Sequence, residues 1–207
     1  LGTRARHVEH ARAVARAIDV DLRVAQVADD REAARIEELV QLRSAVRAGV
    51  ETHRNEADLD DLLGQAHRAG FQCTVHAVGD RAILQTLDAL ARAQREAPRE
   101  GLRHRIEHCG ICPPDLQARV RAQGIVPAMQ PAFFWEFGDG YIRNYGRERA
   151  DVMFPAKSLL EAGVIVAGSS DSPVTDYRPL FGIEQAQTRA TSGGDVCGPN
   201  ERVDLAM

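Results

Sequence analysis

The sequence of 207 residues has no excess of basic residues: 26 Lys and Arg stand against 30 Asp and Glu, which gives a formal net charge of −4. Proteins that bind nucleic acid neutralise phosphates with basic patches, and this sequence contains no basic block. Aromatic residues make up only 5% of the chain, so few rings are available for stacking on bases. The composition argues against nucleic acid as a partner.

Long apolar runs are also missing, and the runs that occur are far too short to cross a bilayer. The first residues are charged and follow a helical pattern, unlike the apolar core of a secretion signal. Only four cysteines are present, too few for a disulfide framework in a chain of this length. We therefore expect no membrane contact and a reducing, cytoplasmic location.

The sequence does contain an alternation of amphipathic helical segments with short apolar strands. This alternation predicts helices over residues 6–18, 30–48, 57–69, 80–97, 113–124, 155–162 and 179–191, and strands over 21–28, 71–75, 103–106, 125–130 and 164–167. Apolar strands that alternate with helices form parallel sheets, so the predicted fold class is α/β. No repeat or linker interrupts the pattern, which predicts one domain over residues 1–207, with the register of residues 1–56 less certain.

Two stretches break this pattern. Residues 131–150 hold most of the aromatic side chains without clear periodicity, which predicts a long irregular loop that forms a lid or pocket wall over the strand ends. Residues 200–207 look like the first turns of a helix that then stops, and the chain begins with Leu1 rather than an initiator Met. We therefore expect the sequence to be a fragment of a longer chain.

Three of the predicted strands run into a residue that can bind a metal ion, namely His76, His108 and, after Gly168-Ser-Ser, Asp171. Parallel sheets place their chemistry at the carboxyl ends of the strands, so these three side chains are expected at one rim. Each residue alone is more often a hydrogen-bonded core histidine or a turn former. Together, two imidazoles and a carboxylate at equivalent positions favour a partial metal site.

Four further polar residues lie near these positions: Asp80, Arg105, Glu107 and Gln130. Asp80 and Glu107 could orient the imidazoles. Arg105 and Glu107 share a strand face because side chains alternate along a strand, and a structural ion pair is the simpler interpretation. Gln130 ends a strand at the same rim, where it could contact a substrate or serve the core.

Cys109 and Cys112 form a single C-x-x-C sequence. A structural zinc site usually needs a second pair, which is absent from the sequence. A thioredoxin-like pair needs its own strand and helix, whereas two prolines follow Cys112 directly. Small, buried thiols are therefore the favoured interpretation.

Three segments in order resemble motifs of the metal-dependent amidohydrolase superfamily. They read HAVGDRA over residues 76–82, RIEHC over 105–109 and GSSDSPV over 168–174. The resemblance is strongest to the YtcJ-like branch, amidohydrolase family 3, which includes N-substituted formamide deformylases. It extends over about residues 57–207.

The resemblance implies a partial (β/α)8 TIM-type barrel, with this chain forming about its carboxyl-terminal half to two-thirds. It implies that His76, His108 and Asp171 ligate a divalent metal, zinc by preference, as one or two ions. In that family the three positions belong to barrel strands 5, 6 and 8, and the strand-8 aspartate is also catalytic. Gln130 would end strand 7.

Two features of the family have no counterpart in this sequence. No His-x-His pair is present, and no bridging lysine is evident, because the one lysine, Lys157, follows the strand-7 position. We expect the parent protein to hydrolyse carbon–nitrogen bonds other than peptide bonds in a small amide or formamide, through a metal-activated water, and the 207-residue chain alone to lack a complete site. The alternatives are a non-catalytic truncated or degenerate fragment and a metal-binding module. A homo-oligomer is compatible with the sequence.

Overall fold

A computed structural model of the chain describes residues 56–206. The elements predicted before residue 50 lie outside the described residues. The elements are α1 (Glu56–Arg68), β1 (Thr74–Ala77), α2 (Asp80–Glu96), β2 (Arg105–His108), α3 (Pro114–Ala122), β3 (Val126–Met129), α4 (Phe133–Tyr145), α5 (Arg147–Ala150), α6 (Ala156–Glu161), β4 (Ala167–Gly168), α7 (Pro179–Thr188) and a 3-10 helix (Pro199–Glu201). Over this part of the chain, every helix is too short or too polar to cross a membrane.

The described residues form two compact units. Residues 56–76 and 88–102 belong to the first unit, and residues 77–87 and 103–206 belong to the second. Each unit has buried apolar residues of its own. A single domain over the whole chain stays a prediction.

In the first unit, α1 has the apolar face that its sequence period predicts. The buried residues of this face lie one, three and four positions apart and are Leu62, Leu63 and Ala66. His67 is also buried, and its Nε2 lies 2.7 Å from the carbonyl oxygen of Ala97. Asp60 of α1 forms an ion pair with Arg92 of α2. These contacts join α1 to the carboxyl-terminal half of α2 and to the residue that follows it.

The second unit contains the parallel part of the sheet. Ala128 of β3 lies opposite Glu107 of β2 and Ala167 of β4, and both pairings are parallel. The strand order is β1-β2-β3-β4, and the Cys109 N–H donates to the Ala77 carbonyl over 3.1 Å. This strand order, with a helix after each of the first three strands, confirms the predicted α/β class and corresponds to part of a (β/α)8 barrel.

The prediction of an irregular loop over residues 131–150 is wrong, because this stretch forms α4 and α5. Aromatic rings recur at every fourth position of α4, namely Phe133, Phe137, Tyr141 and Tyr145. The centroids of successive rings are 5.2, 6.4 and 6.4 Å apart. Residues four apart share one face of a helix, so the aromatic run is itself a helical pattern. Gly146, with φ of 80°, ends α4.

The helical turns predicted over residues 200–207 are also wrong for the residues that are described. The chain forms a 3-10 turn over Pro199–Glu201 and does not continue as a helix through residues 202–206. The Val203 N–H donates to the Ala186 carbonyl of α7 over 3.0 Å, which commits this backbone group to a tertiary contact. A tertiary hydrogen bond here replaces the local one that a helix would use.

Residues 191–198, the carboxyl-terminal clasp, return to α4 and α5 through polar contacts. Asp139 of α4 accepts hydrogen bonds from the Thr191 hydroxyl at 2.6 Å and from the Gly193 N–H at 2.8 Å. Asp195 pairs with Arg147 of α5 at 2.5 Å. These contacts fix the clasp to helices about 50 residues earlier in the chain.

Arg189 lies just past α7 in a left-handed conformation, with φ of 51°, and its side chain is buried. Its guanidinium donates to the carbonyl oxygens of Cys197 at 2.6 Å, Met153 at 2.7 Å and Phe154 at 3.1 Å. The guanidinium carbon also lies 3.7 Å from the ring centroid of Phe134. Arg189 thus holds together three segments of the second unit.

All four cysteines are buried free thiols, and burial was predicted for two of them, Cys109 and Cys112. Burial raises the pKa of Cys73 to about 12. A hydrogen bond with Cys112, together with burial, raises the pKa of Cys109. Such thiols are protonated and unreactive at neutral pH.

Candidate functional site

His108 is the last residue of β2, and its imidazole is buried. Its backbone has φ of 74° and that of Cys109 has φ of 51°, a left-handed conformation that costs energy for residues with a Cβ. The Nδ1 atom lies 2.7 Å from Oε1 of Gln130. The ring of Phe133 stacks on the imidazole, with 5.6 Å between centroids and 24° between planes. Two neighbours therefore fix the orientation of this imidazole.

Gln130 follows β3 directly, and its side chain is buried. Besides its contact with His108, its Nε2 donates to the Ala128 carbonyl and to the Ser169 hydroxyl, each at 2.8 Å. Gln130 thereby connects the carboxyl ends of β2 and β3 with the residue after β4. The sequence placed Gln130 at this rim, and the structure directs its amide toward His108.

Asp171 lies three residues after β4 and is exposed. Its backbone has φ of 53°, and its carbonyl accepts the Val174 N–H at 2.8 Å. The Thr175 hydroxyl donates to the Ser170 carbonyl in the same turn. This hydrogen-bonded turn presents the Asp171 carboxylate beyond the carboxyl end of β4.

His76 is the third residue of β1 and belongs to the first unit, where it is exposed. Its convergence with His108 and Asp171 stays a prediction. Among residues 59–206, no three His, Cys, Asp or Glu side chains lie close enough together to hold a metal ion. The candidate donors are of the types that bind zinc, but the described part does not by itself display the three or more protein ligands of a zinc site.

Arg105 and Glu107 form an ion pair within β2, with 2.5 Å between Nη2 and Oε1. This contact agrees with the structural ion pair that the alternation of side chains along the strand favours. About a third of the Arg105 side chain and a fifth of the Glu107 side chain are exposed, at 32% and 18%. Their charges therefore largely satisfy each other.

Asp80 is the first residue of α2, and its carboxylate is about half exposed. One oxygen accepts the Arg81 N–H at 2.8 Å, and the other lies 3.9 Å from Arg149 of α5. An acidic residue in the first turn also interacts favourably with the helix dipole. These contacts hold the Asp80 carboxylate at the start of α2, and its predicted role in orienting an imidazole stays a prediction.

Two residues of this region were not singled out from the sequence as site residues, Phe133 and Ser169. Phe133 lay within the aromatic run predicted to be a pocket wall, and it does line the imidazole of His108. Ser169 stands within the GSSDSPV segment, two positions before Asp171, and this position could have indicated from the sequence that it lies near the site. A small pocket lined by Gln130, Phe134 and Arg189, among others, has room for roughly one water molecule.

Comparison with known proteins points to a single family. The sequence profile of the amidohydrolase family matches residues 13–206. Over 144 residues the chain is 31% identical to YtcJ of Bacillus subtilis, which carries the amidohydrolase name; the match covers 70% of this chain and 26% of that protein. Over 164 residues it is 27% identical to the N-substituted formamide deformylase of Arthrobacter pascens, covering 76% of this chain and 30% of that protein.

A solved structure is also similar. The chain matches the crystal structure of an uncharacterized metal-dependent hydrolase from Pyrococcus furiosus with a TM-score of 0.60 and 28% sequence identity. The match covers 74% of this chain and 30% of that one. The chain thus spans between about a quarter and a third of the length of the proteins it matches.

Proposed function

The chain belongs to the amidohydrolase family, and from this premise we propose that its protein is a metal-dependent hydrolase of carbon–nitrogen bonds other than peptide bonds. The proposed substrate is a small amide or N-substituted formamide. The relatives support this class, because one of them is named an N-substituted formamide deformylase and a structural neighbour is a metal-dependent hydrolase.

The observation that carries the proposal is the setting of His108. A buried imidazole stands at the carboxyl end of a parallel strand, with one ring nitrogen engaged by Gln130 and one face covered by Phe133. Metal-binding histidines typically have the other ring nitrogen oriented by a hydrogen bond in this way. A histidine that only fills the core would not require a strained, left-handed backbone conformation at the end of a strand.

The residues that we propose to hold the metal are His76, His108 and Asp171. Imidazole and carboxylate are the ligands that zinc prefers in catalytic sites, so the donor types fit this ion. His108 is the last residue of β2 and Asp171 follows the end of β4, and both strands belong to one parallel sheet. We propose zinc as the ion, in one or two copies.

When bound, a divalent ion supplies a Lewis acid that polarises the amide carbonyl and acidifies a water molecule. Asp171 then takes the proton of the attacking water and delivers it to the leaving nitrogen. Its exposure at the end of β4 leaves the carboxylate accessible to water. Gln130 and Phe133 keep the His108 imidazole in place while the substrate is bound.

A non-catalytic fragment or a metal-binding module is the second candidate. It is favoured by one observation, namely that no three potential ligands meet among residues 59–206. The two candidates differ in turnover, because only a hydrolase releases amine from an amide in a metal-dependent manner. For either candidate we propose a reducing, cytoplasmic location, because four cysteines are too few for a disulfide framework in a chain of this length.

The test is hydrolysis of a panel of N-substituted formamides and small amides by the intact parent protein, with and without chelator. Asp171→Asn should lower kcat by about 10²- to 10⁴-fold, because it removes the proton-transferring group, while metal content changes less. His108→Ala should lower the metal content itself.

Asp176→Asn, which alters an aspartate of the same loop that pairs with Arg178, is the matched control and should leave turnover near that of the unaltered protein. Full turnover by Asp171→Asn, or turnover unaffected by chelator, would contradict the proposal.

A further inference from the structure

We propose that Gln130 is a positioning residue that holds His108 in one tautomer, with the proton on Nδ1 and the lone pair on Nε2. The inference rests on the proposed function, in which His108 ligates a metal, and extends it to the residue that prepares this ligand. Three steps lead to it, each from a contact of the second unit.

The first step identifies the two ends of the Gln130 amide. One end lies 2.8 Å from the carbonyl oxygen of Ala128, which can only accept a hydrogen bond. The atom facing that carbonyl must therefore be the NH2 group of Gln130. The same NH2 group donates to the Ser169 hydroxyl at 2.8 Å, which uses its second hydrogen. The atom that faces His108 is consequently the amide oxygen.

The second step assigns the proton on His108. The amide oxygen of Gln130 has no hydrogen to donate, and it lies 2.7 Å from Nδ1. Nδ1 must carry the hydrogen in this bond. In a neutral imidazole the other nitrogen, Nε2, then holds the lone pair, and only a lone pair can ligate a metal ion.

The third step separates this role from contact with a substrate. Both hydrogens of the Gln130 amide already serve protein acceptors, and only 1% of the residue is exposed. A substrate would have to displace a buried hydrogen bond in order to reach this amide. Phe133 stacks on the His108 ring, so rotation of the imidazole would break its contacts with both Phe133 and Gln130. Gln130 thus acts through His108 and not on the substrate directly.

The experiment follows the imidazole nitrogens of the full chain by NMR, with ring-15N histidine and at mildly alkaline pH, where imidazoles are neutral. The His108 signals are identified by their loss in His108→Gln. In the metal-free unaltered protein they should show the tautomer with hydrogen on Nδ1. In Gln130→Met, which keeps the side-chain length and removes the acceptor, they should shift toward the tautomer with hydrogen on Nε2.

The second readout is the affinity for Zn²⁺, measured by competition with a chelator of known affinity. Gln130→Met should lower it by about 10- to 100-fold, the usual effect of losing a group that orients a ligand. Gln130→Glu, which restores an acceptor for Nδ1, should recover part of both the tautomer and the affinity. The matched control is Gln117→Met on α3, because Gln117 also donates from Nε2 to a carbonyl, that of Cys112, at 2.8 Å, and it should change neither readout.

An unchanged nitrogen pattern for His108 in Gln130→Met would overturn the inference, even if Zn²⁺ affinity fell. If Gln130→Met does not fold, the metal-free unaltered protein carries the test, because the Ala128 carbonyl fixes the amide oxygen of Gln130 toward Nδ1; His108 signals of the tautomer with hydrogen on Nε2 would overturn the inference. His108→Ala separates the inference from the proposed function. Unaltered Zn²⁺ affinity in that variant would remove His108 from the metal site, while the tautomer measured in the unaltered protein would still decide the role of Gln130.

Discussion

Arg189 directs all of its described hydrogen bonds to backbone carbonyls. Burial lowers its pKa to about 10, which still leaves the guanidinium charged at neutral pH. The buried charge of Arg189 is tolerated without an acidic partner because the planar guanidinium donates to several carbonyl oxygens at once. The face of Phe134 adds a cation–π contact on the remaining side.

Replacing Arg189 with lysine should therefore destabilise the protein although the charge is kept. Lysine cannot reach the same carbonyls, and unpaired buried groups cost about 1–3 kcal/mol each, so a loss of about 2–4 kcal/mol is expected in the free energy of unfolding. Denaturant unfolding of the full chain measures it. Arg202→Lys is the control, since Arg202 is exposed and donates to a single carbonyl, that of Thr188; an equal loss in both variants would refute the assignment.

Cys73 makes a second prediction at this scale, on the pH dependence of stability. Its folded-state pKa of about 12 lies above the ordinary value of 9.0 because of burial. The stability associated with the protonated thiol is therefore complete below about pH 9 and is lost as the pH rises toward 12, at about 1.4 kcal/mol per pKa unit. Cys73→Ala should show a shallower loss of unfolding free energy over this range. Parallel curves for the two proteins would contradict the assignment.

The positions of these candidate site residues along the chain follow from the sequence, because strand ends can be predicted from periodicity and parallel strands end at one edge. That rule placed His108, Gln130 and Asp171 at the carboxyl ends of β2, β3 and β4. It could not foresee that the Gln130 amide points at His108 or that Phe133 stacks on the ring. Side-chain direction depends on contacts between segments far apart in sequence, which periodicity does not record.

At the scale of elements, helices with an apolar stripe were predictable and α4 was not. The segments assigned to α1, α2, α3 and α6 match the observed helices closely. In α4 two glycines and several polar residues obscured the aromatic face, although rings at every fourth position were present in the sequence. Glycine lowers helix propensity, but tertiary contacts overrule propensity where a packed face exists.

The glycines of α4 give a paired prediction. A Cβ on Gly138 would lie 2.6 Å from Cγ2 of Thr191, whereas a Cβ on Gly140 would meet only Arg143, at 3.9 Å. Gly138→Ala should therefore destabilise the protein by about 1–3 kcal/mol through overpacking. Gly140→Ala should be neutral or stabilise it by up to about 1 kcal/mol, because alanine is the better helix former. Thermal unfolding of both variants measures this, and a more stable Gly138→Ala would contradict the packing of α4 on the carboxyl-terminal clasp.

At the scale of the whole molecule, the chain spans only part of the length of its relatives, and large apolar side chains are exposed in the described part. Leu180 and Ile165 are 79% and 68% exposed. Exposed apolar surface of this kind favours association with other surfaces. Alternation of strands and helices identifies the class of such a fold from sequence, but not how much of a barrel one chain supplies.

The isolated 207-residue chain should therefore be a poor amide hydrolase. Its described residues bring no three potential ligands together, and a catalytic zinc needs about three protein ligands. The measurement is turnover of the formamide panel by the purified chain, together with its bound zinc and its state in size-exclusion chromatography. Rapid, chelator-sensitive turnover by a monodisperse preparation of this chain would show that the expectation is wrong.

The carboxyl-terminal clasp has a consequence for synthesis on the ribosome. Asp139 finds its partners only 52 and 54 residues later, and the loop between them must close before these bonds form. Contacts so distant in sequence slow folding, so α4 is expected to acquire its protease resistance only after the clasp has been synthesised. Arrested nascent chains that end near residue 190 should be cut readily within α4. Chains that also expose the clasp beyond the exit tunnel should resist, and equal cleavage of the two would show that α4 is ordered without it.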